Sequence, residues 1–186
     1  MTTSGGVGAA VDEMTRVLTP RVGADWGVRA GSLDWSCWAT AAHVAHDLTA
    51  YAMQLAARPD DAYLPLDLVV RPGADPARLL RIVRGAGRLL STAIDTAGPR
   101  ARAWHWGPTD PAGFAALGMN EILVHTYDIA QGLGLDWLPP AGPARTVLTR
   151  LFPEAPAGDD PADALLRCTG RRGDTGPDWK LRAALG

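Results

Sequence analysis

Residues 114–134 read FAALGMNEILVHTYDIAQGLG, and the way this stretch folds decides the reading of the whole chain. At about 100° per residue, a helix here places Phe114, Leu117, His125 and Asp128 within about 40° of Glu121. Val124 and Ile129 flank that set. Three ionisable side chains therefore sit inside the apolar stripe and not on a solvated back. Burying charge is costly unless it is paired or bound to a metal. Glu121 and His125, four residues apart, project side by side, which is how a helix offers two ligands to one ion. A buried Glu–His hydrogen-bonded pair, or a helix face lining a wet crevice, would use the same pattern.

Working outward, Asp110-Pro111 starts this helix and Leu133-Gly134 supplies its C-terminal glycine. Asp75-Pro76 is a second such start, an N-cap followed by proline in the first turn. From there Leu79, Leu80, Ile82, Val83, Ala86, Leu89, Leu90 and Ile94 recur at helical spacing until Gly98-Pro99. Further helices are expected from about Gly6 to Leu18, from Ser36 to Arg58, around Gly142–Phe152 and, shorter, around Ala162–Arg167. Residues 21–34, 60–73 and 100–111 read as connections, punctuated by glycine and proline. Within the second of these, LDLVV (residues 66–70) suggests a strand-like piece. Nothing alternates with period two over a useful length, and neither GxGxxG nor GxxxxGK[ST] occurs. The expectation is an all-α bundle of three or four long helices with long connections and one or two short extra C-terminal helices, a single domain over residues 1–186.

Composition narrows the function. The chain is 47% hydrophobic, enough for a full core and too much for a disordered chain. Its 18 basic and 20 acidic residues leave a net charge of -2, which argues against a nucleic-acid binder driven by a basic face. The abundance of alanine, glycine, arginine and proline, with Lys180 the single lysine, suggests a GC-rich genome. Cys37 and Cys168 form no CxxC pair, which excludes a disulfide scaffold and a four-thiolate zinc site. No signal peptide and no membrane-spanning run is visible, so a cytoplasmic protein without a membrane partner is expected.

A third ligand is sought in WSCWATAAHVAHDL, where His43 and Asp47 stand one turn apart beside Val44, Leu48, Tyr51 and Leu55, with His46 to the other side of His43. Neutral imidazole suits zinc, nickel or iron. His43 with Glu121 and His125 would give two histidines and a glutamate from two helices, with positions left for water or substrate, as in a catalytic site. Cys37 has no basic neighbour in the motif and reads as a small core residue. Trp35, Trp38, Trp104 and Trp106 read first as anchors of helix ends and second as pocket walls. His105 lies in a connection. Arg71, Arg78 and Arg171 are solvated by default and would otherwise suit an anionic substrate.

These residues resemble a known family. The run from Trp35 to His43 is similar to the head of the second helix in the mycothiol-dependent maleylpyruvate isomerase family. The run Glu121-Ile-Leu-Val-His125-Thr-Tyr-Asp128 resembles that family's ExxxHxxD helix. Residues 164–171 with Asp178-Trp179 resemble the closing segment of many actinobacterial members. His46 and Asp47 stand where the family pattern has small or apolar residues. The resemblance implies a DinB/YfiT-like metal-binding four-helix bundle, with His43, Glu121 and His125 as ligands to a divalent metal. It implies zinc first, with nickel or iron as alternatives, and mycothiol as the thiol cosubstrate. Asp128 would make contacts behind the ligands or with the first helix. Homodimers are frequent in this superfamily.

The expected function is accordingly a metal-dependent thiol transferase or isomerase, the metal activating mycothiol for attack on an electrophilic small molecule. A free thiol is mostly protonated at neutral pH, and coordination removes that proton. The rival expectation is a non-catalytic small-molecule-binding or sensor bundle that keeps the fold, with or without the metal. A metal-dependent hydrolase is a third, since the same open site would activate water.

Overall fold

Aspartate followed by proline starts three of the helices. The computed structural model describes residues 3–155, 159–173 and 183. Its helices are α1 (Thr3–Leu18), α2 (Cys37–Ala57), α3 (Pro76–Ala97), α4 (Pro111–Gly132), α5 (Ala141–Leu151) and α6 (Pro161–Cys168). Asp75, Asp110 and Asp160 each accept a hydrogen bond from the first-turn backbone of α3, α4 and α6, with proline next in sequence. The carboxylate satisfies an N–H that has no partner within the helix, and proline presets φ where its missing N–H costs nothing. Ser36 does the same for α2, its Oγ accepting from Ala39 N at 3.1 Å. Thr19-Pro20 does not stop α1 outright but turns it into a short 3₁₀ segment, Thr19–Arg21.

Helix α2 packs on α3 and α4, α1 packs on the same pair, and α5 lies on α4 with α6 against it. The expected all-α bundle is what forms. One feature of α4 differs from the sequence expectation of an apolar stripe with a solvated back. Every residue from Gly113 to Thr126 is buried, because α1, α2, α3 and α5 enclose the helix. Glycine makes that enclosure feasible: a Cβ at Gly118 would stand 2.6 Å from Leu90 and 3.2 Å from Leu48. At the far end, a Cβ at Gly132 would meet the Arg29 carbonyl at 2.3 Å. Its absence lets the connection before α2 lie directly on α4, and that connection carries Trp35.

The strand-like piece expected at residues 66–70 is not a strand. Val69 is 75% exposed, and no neighbouring backbone pairs with the segment, so β-branched propensity has nothing to act on. The strands among the described residues lie instead in the connection before α4. There β1 (Ala103–Trp104) pairs antiparallel with β2 (Pro108–Thr109), through a turn at Trp106 and Gly107 with φ of 57° and 138°. No helix among the described residues is long and apolar enough to cross a membrane. Asp178 and Trp179 lie outside the described residues.

Candidate metal centre

Helix α2 presents His43, Asp47 and Tyr51 at successive turns, and α4 presents Glu121 and His125 opposite them. The two helices bring His43 Nε2 to 3.4 Å and His125 Nε2 to 3.2 Å from one atom, Glu121 Oε2. One ligand atom from each of the three residues lies within 4.8 Å of the others. Glu121 is buried at 4% exposure and His125 at 7%, while His43 is partly open. Burial alone would raise the Glu121 carboxyl, but bonding to His125 and His43 and their charge outweigh it and hold it far below the usual range. Burial opposes charge on His125, yet Asp128 and Glu121 together push its imidazole up to about 9.

Behind the ligands, His125 Nδ1 donates to Asp128 Oδ2 at 2.9 Å. That bond turns Nε2 toward Glu121, and an ion bound there would take the place of the proton on that nitrogen. Arg171 holds the same carboxylate from the other side, Nη2 to Oδ2 at 2.9 Å and Nε to Oδ1 at 3.2 Å. Arg171 also donates from Nη1 to the Thr169 carbonyl at 2.7 Å, so Asp128 ties the chain after α6 to the centre. Asp128 therefore makes its contacts behind the three-residue cluster, with Arg171 as a partner the sequence alone did not suggest.

On the open side, Asp47 Oδ2 stands 3.4 Å from His43 Nε2 and accepts from Tyr51 Oη at 3.4 Å. Its Oδ1 accepts from His46 Nδ1 at 2.9 Å. Burial and the nearby Glu121 charge raise the Asp47 carboxyl, with His43 and His46 opposing them. His43, His46 and Asp47 form a second set of donors close enough for an ion. The two sets share His43, whose Nε2 stands 3.4 Å from both Glu121 Oε2 and Asp47 Oδ2. The set containing Glu121 is the more enclosed.

The centre opens into a cavity of about 800 Å³. Leu64, Leu66, Leu68 and Met53 form much of its apolar wall, and Trp35 and Trp106 line it too. Trp35 packs on His43 with ring centroids 4.9 Å apart. Trp38 instead anchors, its indole donating to the Ala74 carbonyl at 2.7 Å. His105 also lines the cavity, buried, with its Nδ1 3.0 Å from Tyr63 Oη and its ring 5.4 Å from that of Tyr51, outside the three-residue cluster. Gln54 braces the wall there, donating to the Ala62 and Trp104 carbonyls at 2.8 Å each and accepting from Leu64 N at 3.1 Å. Cys37 is fully buried against the Ile129 and Arg29 carbonyls. Burial pushes its thiol up to about 11, which fits a core residue and not a nucleophile. Arg71 lies outside the cavity lining, and Arg78 pairs with Asp75.

Two helices of this bundle thus aim two imidazoles and a carboxylate at one point beside a cavity. The chain belongs to the family described as mycothiol maleylpyruvate isomerase N-terminal domain, whose profile matches residues 7–130 and so takes in His43, Glu121 and His125. Neither the curated proteins nor the solved structures yield a match.

Proposed function

We propose that this protein is a metal-dependent thiol transferase or isomerase. In this reading a divalent ion is held by His43 Nε2, Glu121 Oε2 and His125 Nε2, and mycothiol attacks an electrophilic small molecule. The supporting observation is the convergence of those atoms. Ligands about 2.05 Å from a zinc ion at tetrahedral angles stand about 3.3 Å apart. The two nitrogens lie 3.4 and 3.2 Å from the glutamate oxygen. His125 turns its other nitrogen to Asp128, 2.9 Å away, so Nε2 is the one that faces the cluster. Imidazole with carboxylate suits zinc first, and nickel or iron next.

When bound, such an ion supplies Lewis acidity that lowers a thiol's pKa and holds the thiolate beside its target. The chain does the positioning. Asp128 fixes the His125 ring through Nδ1, Arg171 neutralises Asp128, and Trp35 packs on His43 at the cavity mouth. The cavity wall holds the electrophile near the cluster, converting a bimolecular encounter into a local one. In the reaction, thiolate sulfur forms a bond to the β-carbon of an activated alkene, and the alkene's π pair moves to the α-carbon. Protonation there gives an S-conjugate. Rotation about the Cα–Cβ bond of the still unprotonated adduct, followed by return of that pair and expulsion of the thiolate, gives instead the alkene's geometric isomer.

The family membership supports the thiol, and the donor set supports the ion. Consumption of mycothiol with a panel of activated alkenes, followed for wild type and Glu121→Ala, tests the reading. Thiol loss that depends on added zinc and disappears in the folded variant is the expected result. Equal thiol loss in both proteins would overturn it.

A further inference from the structure

The connection between α2 and α3 forms one wall of the cavity, and that wall is a single chain thick. Leu64, Leu66 and Leu68 line the cavity, whereas Pro65, Asp67 and Val69 between them do not. This is the alternation of an extended chain, whose successive side chains point to opposite sides. The outer set faces water: Val69 is 75% exposed and the Asp67 side chain 83%. The inner set is loosely covered as well, with Leu66 at 46% and Leu68 at 39%. These leucines keep apolar surface that a molecule in the cavity would take out of water.

Few bonds hold this wall. At one end Gln54 grips the Ala62 carbonyl and Leu64 N. At the other the Trp38 indole holds the Ala74 carbonyl, next to Gly73, whose φ of 84° favours glycine. Between these anchors, from residue 65 to 73, no backbone N–H or carbonyl bonds to another element among the described residues. Two side chains tie the stretch down. Val70 is half-buried against the core, and Asp67 Oδ1 stands 3.4 Å from His46 Nε2 on α2. A segment with few buried apolar contacts and a water-exposed backbone opens at little cost, and the gates of binding sites are drawn from such segments.

We propose that residues 65–73 are a gate. The strap swings away from α2 between its two anchors, admits a small molecule to the cavity, and shuts on it. Leu66 and Leu68 then cover an apolar part of that molecule, and the Asp67–His46 contact is the latch. The proposal rests on reading this cavity as the place where the small molecule binds, and not on the thiol step.

Binding kinetics without thiol or turnover test it. N-phenyl-1-naphthylamine, a neutral dye that brightens in apolar surroundings, is mixed with the full chain by stopped flow, for wild type and Asp67→Ala. Asp67 does not line the cavity, so its loss raises the open fraction and leaves the dye's contacts alone. Entry and exit both pass through the open state. Both kon and koff are therefore expected to rise together, about two- to fivefold as suits an exposed ion pair, with Kd unchanged. Chymotrypsin supplies a second reading. Cleavage after Leu66 or Leu68 is expected to quicken about two- to fivefold in Asp67→Ala at unchanged Tm. Dye at about ten times its Kd is expected to slow that cleavage about tenfold in both proteins. Unchanged kon and koff in Asp67→Ala, a change in koff alone, cleavage that the dye does not slow, or no saturable binding of the dye would each overturn the gate. Rates that rise together in a protein that consumes no thiol would keep the gate and remove the thiol chemistry. Thiol consumption with unchanged rates would remove the gate alone.

Discussion

Replacing Asp128 by asparagine keeps the shape of the side chain and removes what it does. The residue is 1% exposed, and its carboxylate accepts one bond from His125 and two from Arg171. Asparagine retains one acceptor oxygen and turns an NH2 toward donors that need an acceptor. If the oxygen stays with His125, Arg171 faces that NH2 with its charge uncompensated. Removing one partner of a buried ion pair costs about 3–5 kcal/mol. The Arg171 side chain is 18% exposed and keeps the Thr169 carbonyl, so the lower end, about 3 kcal/mol, applies. For a chain of this size about 2–4 °C accompany each kcal/mol, which gives a fall in Tm of roughly 6–12 °C. If instead the oxygen follows Arg171, His125 loses the acceptor that sets its tautomer, and zinc affinity falls about 10- to 100-fold. Thermal denaturation of the metal-free protein and zinc competition against a chromophoric chelator measure the two losses. Asp128→Asn with both Tm and zinc affinity unchanged would refute the role assigned to Asp128.

Two further outcomes follow from the buried titratable groups. Glu121 is held below its ordinary value, so its contribution to metal-free stability is present above about pH 4.5 and is lost on acidification through its lowered folded value. His125 is raised to about 9, so its contribution is full below the unfolded value near 6.5 and is lost as pH rises through about 9. Melting of the metal-free protein should therefore fall between about pH 7 and pH 10, a loss reduced in His125→Gln; a flat profile in wild type would contradict the pairing. Cys37, buried and pushed up to about 11, should resist an aromatic disulfide reagent in the folded protein at about pH 8. No more than one thiol per chain, Cys168, should react until denaturant is added, and prompt labelling of Cys37 would contradict its place in the core.

The helix boundaries were legible because their signals are local. Asp-Pro at residues 75–76 and 110–111 combines a side-chain cap with a preset φ, and the helices begin where that chemistry starts them. The facing of Glu121 and His125 was equally legible, being a matter of spacing on one helix. That His43 meets them depends on α2 crossing α4, which no local pattern encodes; the residues offered His43 as a candidate, and the family resemblance matched it to a ligand position. Burial of α4 on every side was hidden because it comes from neighbours and not from the helix's own stripe. Gln54, Tyr63 and the Arg171–Asp128 pair depend on contacts between distant segments and left no signal. The β1–β2 hairpin is too short for a period, and its one cue was the glycine after Trp106.

Metal content is the measurement that bears most directly on the centre. Mass spectrometry on untagged protein, for wild type, His43→Ala and Glu121→Ala, should give close to one zinc or other divalent ion per wild-type chain and almost none in either variant. Wild type that stays empty after incubation with zinc, nickel and iron, or variants that retain the full complement, would contradict a metal centre built from His43, Glu121 and His125.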